Sequence, residues 1–130
     1  MEGNKYKILI IDDDAFILNL YVAKFVKAGQ EVETARSAAE AFSKIKNGYA
    51  PDIVLVDIVL PDQNGLEFLN TIRAEKLAPD AVFIMVTNQN SDNEIMRAKE
   101  LGVGGYIIKA NLIPSEVVTK VFEVAHNYKK

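Results

Sequence analysis

The run Ile8-Leu9-Ile10-Ile11-Asp12-Asp13 and the similar run Ile53-Val54-Leu55-Val56-Asp57 decide the fold. Each begins with four apolar and mostly β-branched residues, which is the pattern of a buried parallel strand. Each ends in aspartate, and the carboxyl ends of parallel strands open into the crevice where α/β sheets bind ligands. Three carboxylates in one small crevice repel one another, so we expect the crevice to hold a cation. Oxygen-only ligands favour Mg2+.

Strand and helix patterns alternate along the whole chain. Predicted strands cover residues 6–11, 31–35, 53–56, 81–86 and 106–108. Two predicted helices cover residues 15–28 and 66–74. Two more begin at Ser37 and Ser91, which form capping boxes with Glu40 and Glu94, and a fifth begins at Pro114. This alternation predicts an α/β fold, a doubly wound parallel sheet of five strands with five helices in a three-layer αβα sandwich.

Composition narrows the class of protein. A chain of 130 residues fits one domain, so we expect residues 1–130 to form a single domain with no output domain. The net charge of −3 does not favour direct nucleic-acid binding, and the absence of cysteine excludes disulfides and thiolate metal sites. No apolar run is long enough to cross a bilayer, and no signal-peptide core opens the chain. We therefore predict a cytoplasmic protein without a membrane partner.

Four segments, each at the end of a predicted strand, carry a resemblance to a known family. They are Ile10-Ile11-Asp12-Asp13-Asp14, the stretch from Val56 to Gly65 (VDIVLPDQNG), Met85-Val86-Thr87, and residues 98–102 leading to Tyr106-Ile107-Ile108-Lys109. In this order they resemble a chemotaxis-like response-regulator receiver domain, the phosphoacceptor of two-component signalling. The resemblance covers nearly the whole chain. It implies a flavodoxin-like sheet of strand order 2-1-3-4-5, with the ligand site between strands 1 and 3.

The resemblance assigns a role to each acidic residue of the crevice. Asp57 is the expected phosphoacceptor, a carboxylate that carries the phosphoryl group as an acyl phosphate. Asp12, Asp13, Asp57 and the backbone carbonyl of Val59 are the expected Mg2+ ligands. The ion would neutralise charge as the anionic donor approaches. Asp14 is expected only to cap the first helix.

Three further residues are expected to sense the phosphoryl group. Thr87 and Lys109 would contact its oxygens, and Thr87 with Tyr106 would form the switch. Phosphorylation would then change the surface of helix 4, strand 5 and helix 5, through which a downstream protein binds. The lone His126 lies in the last helical turns, so the phosphoryl donor would be an external histidine kinase or phosphotransfer protein. The protein would be a monomer or a phosphorylation-dependent dimer. We expect the chain to be a phosphoacceptor domain that promotes its own phosphorylation and dephosphorylation, and not an enzyme.

Some residues depart from the family pattern. Ala110 follows Lys109 where a proline with a cis peptide bond is usual, so either the loop is trans and reshaped or a strained bond is tolerated. Asn88 replaces a small residue and is expected to narrow the pocket entrance. Val59 and Gln89 stand at the positions that influence the hydrolytic water. We therefore expect a phosphoryl group that lasts longer than in relatives with a polar residue at Val59.

Two alternatives belong to other functional classes. The first is a degenerate receiver that acts as an interaction module without phosphorylation, which only Ala110 and Asn88 favour. The second is a small Mg2+-dependent phosphatase with Asp57 as a turnover nucleophile. Val59 stands where that chemistry would need a general acid, which counts against the second alternative.

Overall fold

The computed structural model describes residues 5–128, and within them strands and helices alternate as predicted. In chain order the elements are β1 (Lys7–Ile11), α1 (Ala15–Lys27), β2 (Glu31–Ala35), α2 (Ala38–Lys46), β3 (Ile53–Val56), α3 (Gly65–Ala74), β4 (Val82–Thr87), α4 (Asp92–Glu100), β5 (Gly105–Ile108) and α5 (Pro114–Asn127). The ends of the predicted domain, residues 1–4 and 129–130, lie outside the described part. No helix among residues 5–128 is long and apolar enough to span a bilayer.

The five strands form one parallel sheet of order β2-β1-β3-β4-β5, which confirms the predicted fold. Ile11 at the end of β1 lies opposite Val56 at the end of β3. The chain therefore leaves these two neighbouring strands at the same level, with Asp12 and Asp57 as the next residues. At the other side of the sheet, Thr87 at the end of β4 lies opposite Ile108 at the end of β5.

Two apolar cores hold the layers together, one on each face of the sheet. Alternate side chains of β1 enter opposite cores: Leu9 and Ile11 pack with α2, α3 and α4, whereas Ile8 and Ile10 pack with α1 and α5. Each fully buried side chain of this size stabilises the fold by about 1.5–3 kcal/mol relative to exposure. Since β1 and β3 are buried on both faces, their positions, and those of the acids that follow them, are firmly fixed.

Side-chain caps set where the helices begin. Asp14 accepts hydrogen bonds from the amides of Phe16 and Ile17, which confirms its expected role as a cap of α1. The two predicted capping boxes form only in part. Ser37 and Ser91 each accept from the residue three positions on, but Glu40 bonds the Arg36 amide and Glu94 accepts from the Ser91 hydroxyl.

The loop after β3 is anchored to α2 by Asp62, a contact that the sequence did not indicate. Its two carboxylate oxygens accept from the amides of Ala38 (3.0 Å) and Ala39 (2.9 Å) in the first turn of the helix. Slight desolvation opposes the effect, but these amides hold the pKa of Asp62 below its ordinary 3.8. The anchor restrains the same loop that carries Asp57 at its start.

Arg73 joins α3 to the end of α4. Its Nε donates to the Leu101 carbonyl at 3.0 Å, and its Nη2 donates to the Gly102 carbonyl at 3.1 Å. The guanidinium also lies 4.9 Å from the centre of the Phe83 ring. Because the last carbonyls of a helix lack internal partners, Arg73 satisfies groups that α4 cannot satisfy itself.

Candidate functional site

Asp12 and Asp57 continue the strands that precede them. The Asp12 amide donates to the carbonyl of Ala35 in β2, and the Asp57 amide donates to the carbonyl of Ile11 in β1, both at 3.1 Å. Asp12 is 2% exposed and Asp57 7% exposed. The sheet therefore fixes the backbone of both acids and buries their side chains at its carboxyl edge, as the sequence predicted.

Lys109 bridges the two acids. Its ammonium donates to Oδ2 of Asp12 at 2.9 Å and to Oδ2 of Asp57 at 2.8 Å. Only 13% of the Lys109 side chain is exposed, so water screens these ion pairs weakly. From the sequence we expect Lys109 to contact a phosphoryl oxygen. In this structure its ammonium donates a hydrogen bond directly to Asp57, the phosphoacceptor candidate.

The electrostatics of this triad show an excess of negative charge. Burial raises the pKa of Asp12 above its ordinary 3.8, although hydrogen bonds from the Asp14 amide and Lys109 oppose the rise. Burial alone would lower the pKa of Lys109, but the two carboxylates outweigh it and raise that pKa above its ordinary 10.5. The site thus favours the charge on the lysine and disfavours that on Asp12. One ammonium facing two buried carboxylates leaves room for a second cation.

Within the described residues, the three carboxylates expected in the crevice do not all come together. Among residues 5–128, no three acidic, histidine or cysteine side chains are grouped closely enough to hold a metal ion. Asp13 follows Asp12 in a bend and is exposed, and its backbone carbonyl accepts from the Arg36 guanidinium at 2.9 Å. Two converging carboxylates still fit Mg2+, because this ion binds one or two protein carboxylates and retains several waters.

Thr87 lies at the end of β4 and is completely buried. Its hydroxyl oxygen accepts from the Gln89 amide at 3.3 Å, a bond that leaves the hydroxyl proton free to donate elsewhere. In the sheet, Thr87 pairs with Ile108, the residue before Lys109. The structure therefore places this hydroxyl on the strand end next to the one that carries the ammonium.

Tyr106 is attached to the loop that follows Thr87. Its hydroxyl donates to the backbone carbonyl of Gln89 at 2.6 Å, and its ring packs against the core on the α4 side. Burial, with the charges of Glu94 and Asp57, raises the pKa of Tyr106 to about 12. The backbone of Gln89 thus bonds both residues of the expected switch. Sequence reasoning assigned Gln89 only a side-chain role, and no pattern in the sequence indicates these backbone bonds.

Val59 lies beside the phosphoacceptor candidate and is 57% exposed. Its amide donates to Oδ1 of Asp57 at 3.3 Å, and it forms an isolated bridge with Asn64, the cap of α3. Asp57 therefore has one oxygen on Lys109 and the other on the Val59 amide. The Val59 side chain is apolar and adds no hydrogen-bonding group beside that second oxygen.

Gly65, the first residue of α3, approaches Asp57 too closely for any side chain. A Cβ at this position would overlap the backbone oxygen of Asp57 and lie 2.9 Å from its carbonyl carbon. The Gly65 amide also donates to the Ile58 carbonyl at 2.7 Å. Sequence reasoning did not single out this glycine as a positioning residue, although it closes the VDIVLPDQNG segment.

The sequence left open whether the turn after β5 contains the cis peptide bond that is usual in the family. No peptide bond among residues 5–128 is cis, and Lys109–Asn111 form a single 3₁₀ turn that was not predicted. The Ala110 amide donates to Oδ1 of Asn88 at 2.7 Å. The loop is therefore trans, and from it Lys109 reaches both carboxylates. His126 lies in the last turns of α5, as predicted, and is exposed.

Comparisons with known proteins agree with this geometry. The structure matches a CheY-like response regulator receiver domain protein from Methanospirillum hungatei JF-1 with a TM-score of 0.84 and 32% identity, over 95% of each chain. It matches the chemotaxis response regulator CheY4 of Vibrio cholerae with a TM-score of 0.83 and 26% identity, over 93% of this chain and 99% of the other.

The sequence is 30% identical to response regulator SaeR of Staphylococcus aureus over 123 residues, which are 95% of this chain and 52% of that protein. The chain thus spans about half the length of the curated relatives it matches. Residues 8–121 match the model of the response regulator receiver domain. With that match over most of its length, the chain belongs to the response regulator receiver domain family of two-component systems.

Proposed function

We propose that this receiver accepts a phosphoryl group on Asp57 from a phosphohistidine donor in a Mg2+-dependent reaction. The observation that carries the proposal is the Lys109 ammonium, which bonds Asp57 and Asp12 together in a buried site. A nucleophile, a fixed cation and a second carboxylate are the parts that phosphoryl transfer to a carboxylate needs.

The transfer itself forms one bond and breaks one. An oxygen of Asp57 attacks phosphorus, the bond between phosphorus and the donor's imidazole nitrogen breaks, and that nitrogen keeps the electron pair and takes up a proton. Lys109 exchanges its bond to Asp57 for one to a phosphoryl oxygen, so its charge remains paired throughout. The Val59 amide donates to the other Asp57 oxygen and orients the carboxylate.

Asp12 and Asp57 are the residues that would hold Mg2+, with Asp13 and the backbone carbonyl of Val59 as further expected donors. When bound, the ion supplies positive charge beside the phosphoryl oxygens. The excess negative charge of the site supports this part of the proposal, because one ammonium faces two buried carboxylates.

Signal output would pass through Thr87 and Tyr106. A phosphoryl group offers strong acceptors to the Thr87 hydroxyl, and a movement of Thr87 would disturb its bond from the Gln89 amide. Because the Gln89 carbonyl accepts from Tyr106, the disturbance would reach β5 and the surface formed by α4, β5 and α5. We propose this surface as the contact for a downstream protein, and a histidine kinase or phosphotransfer protein as the donor.

The phosphoryl group should be long-lived, and the domain should promote its own dephosphorylation only slowly. The exposed Val59 side chain offers no group to orient a hydrolytic water near Asp57. Val59→Asn should therefore shorten the half-life of the phosphorylated protein. A fast half-life that Val59→Asn leaves unchanged would contradict this assignment.

The test is intact-mass measurement after incubation with acetyl phosphate, with Mg2+ or with a chelator. We expect one added phosphoryl group in the wild-type protein with Mg2+, and none in Asp57→Asn or without the ion. A folded wild-type protein that gains no phosphoryl group would overturn the proposal. An adduct that persists in Asp57→Asn would show that another residue is the acceptor.

A further inference from the structure

We propose that Asn88 is a positioning residue for Lys109. Its side-chain oxygen accepts from the Ala110 amide at 2.7 Å and thereby fixes the turn from which the ammonium reaches Asp12 and Asp57. The functional consequence of this inference rests on the proposed phosphoryl transfer, but the geometric part can be tested without it.

The turn has few restraints of its own. Lys109–Asn111 form one 3₁₀ turn, and its preceding residue supplies no side-chain cap. The Leu112 amide closes the turn by donating to the Lys109 carbonyl at 3.2 Å. The first amides of any helical turn lack internal partners. Asn88, 22 residues earlier in the chain, supplies the missing acceptor for one of them.

Lys109 depends on the placement of this turn because one ammonium has to meet two carboxylates at once. Its flexible four-carbon stem has to bring one ammonium within 2.9 Å of one carboxylate and 2.8 Å of another at the same time. Since Ala110 is the next residue, the Asn88 bond restrains the backbone from which the stem starts. We expect that without this bond the turn is less restrained and the ammonium keeps both partners less often.

The bond requires a residue other than proline at position 110, because proline has no amide hydrogen. Ala110 provides the donor and Asn88 provides the acceptor, so the two positions form one hydrogen-bonded pair. Asn88 also follows Thr87 directly, so this hydrogen bond connects the end of β4 to the turn that carries Lys109.

The first test measures geometry alone, by NMR of the metal-free protein. Asn88→Leu keeps the branched shape of the side chain and removes the acceptor, and Asn88→Asp keeps an acceptor oxygen. Asn90→Leu is the matched control, since Asn90 is an exposed asparagine of the same loop. We expect Asn88→Leu to accelerate hydrogen exchange at the Ala110 amide and to weaken the protected ammonium signal of Lys109. Wild type, Asn88→Asp and Asn90→Leu should keep the slow exchange of the Ala110 amide and the protected ammonium signal of Lys109.

The second test measures the reaction. Asn88→Leu should lower the rate of phosphorylation by acetyl phosphate roughly fivefold, the weight of one partly exposed hydrogen bond. It should not raise the Mg2+ dissociation constant, because both carboxylates remain and a displaced ammonium competes less for them. In an Ala110→Pro background, which lacks the donor, Asn88→Leu should have no further effect on the rate.

The outcomes separate this proposal from the proposed function. If wild type is not phosphorylated, the proposed function fails while the exchange measurement still decides the role of Asn88. If Asn88→Leu leaves the Ala110 amide and the Lys109 ammonium as protected as in wild type, the positioning role is wrong. It is equally wrong if Asn90→Leu produces the same loss, or if Asn88→Leu slows the reaction as much in the Ala110→Pro background as in the wild-type background.

Discussion

Replacing Gly65 by alanine should slow the phosphorylation of Asp57 strongly while it lowers the stability of the fold only moderately. The added Cβ would overlap the backbone oxygen of Asp57 and lie 3.0 Å from the Cα of Ile58. These are backbone atoms, so no rotamer change can relieve the overlap. Because the Gly65 amide is bonded to the Ile58 carbonyl at 2.7 Å, the helix start and the end of β3 cannot separate without losing that bond. The backbone of Asp57 has to move.

The size of both effects follows from this overlap. Inserting a methyl group into a closely packed position costs about 1–3 kcal/mol. Alanine is a better helix former than glycine by about 1 kcal/mol, which offsets part of that cost. We therefore expect the free energy of unfolding to fall by up to about 2 kcal/mol. A displacement on the order of 1 Å at the reacting carboxylate lowers the rate by about 100-fold.

The assay pairs the phosphorylation rate, measured by intact mass with acetyl phosphate and saturating Mg2+, with urea unfolding. Gly29→Ala is the control: a Cβ there meets no atom within 4 Å, but the φ of +87° makes alanine unfavourable. That conformation costs about 1–2 kcal/mol, similar to the loss expected for Gly65→Ala, at a turn outside the site. Gly29→Ala should phosphorylate at the wild-type rate. A Gly65→Ala protein that does the same would refute the reasoning.

Three further changes test other parts of the structure. Asp12→Asn should stabilise the metal-free protein at neutral pH, because burial raises the pKa of Asp12 and its charge therefore opposes folding. The gain in the free energy of unfolding, measured with urea in the presence of a chelator, should vanish as the pH falls to 3.8, the ordinary pKa of aspartate. A loss of stability at neutral pH would contradict it. Arg73→Leu should lower the free energy of unfolding by about 1–3 kcal/mol, since two carbonyls lose a charged donor. Arg73→Lys should recover little of it, because lysine lacks the planar fork, and full recovery would show that charge alone matters. Burial raises the pKa of Tyr106 to about 12, so its contribution to stability is complete below pH 10 and is lost as the pH rises toward 12. Tyr106→Phe should remove one late-titrating tyrosine from the absorbance titration, and an unchanged titration would count against the burial of this hydroxyl.

The elements were predictable because their signals are local. Four apolar residues followed by an acid indicate the end of a buried strand, and Ser37 or Ser91 before a helical pattern indicates its start. The observed strands agree with the predicted ones to within a residue at each end. Asp12 and Asp57 were predictable as a pair for the same reason, since parallel strands end at one edge.

The direction of a side chain beyond a strand end is not a local property. Asp13 follows Asp12 in sequence, yet it lies in an exposed bend while Asp12 is buried. That difference depends on the backbone angles of the bend, which no residue type in this segment dictates. The same limit applies to Lys109, whose target is set by the turn that carries it and by the acids on two other strands.

Ala110 and Asn88 show what a position-by-position reading misses. Taken singly, each departs from the family pattern, and these two were the only features that favoured a degenerate receiver. In the structure they are donor and acceptor of one hydrogen bond, formed between residues 22 positions apart. A proline at position 110 would leave the Asn88 oxygen without this donor, and a small residue at position 88 would leave the Ala110 amide without this acceptor. Two departures that supply each other's partner are compensation, and they hold Lys109 where the acids need it. In the proposed function, the two residues that counted against phosphoryl transfer are therefore the ones that would keep its cation in place.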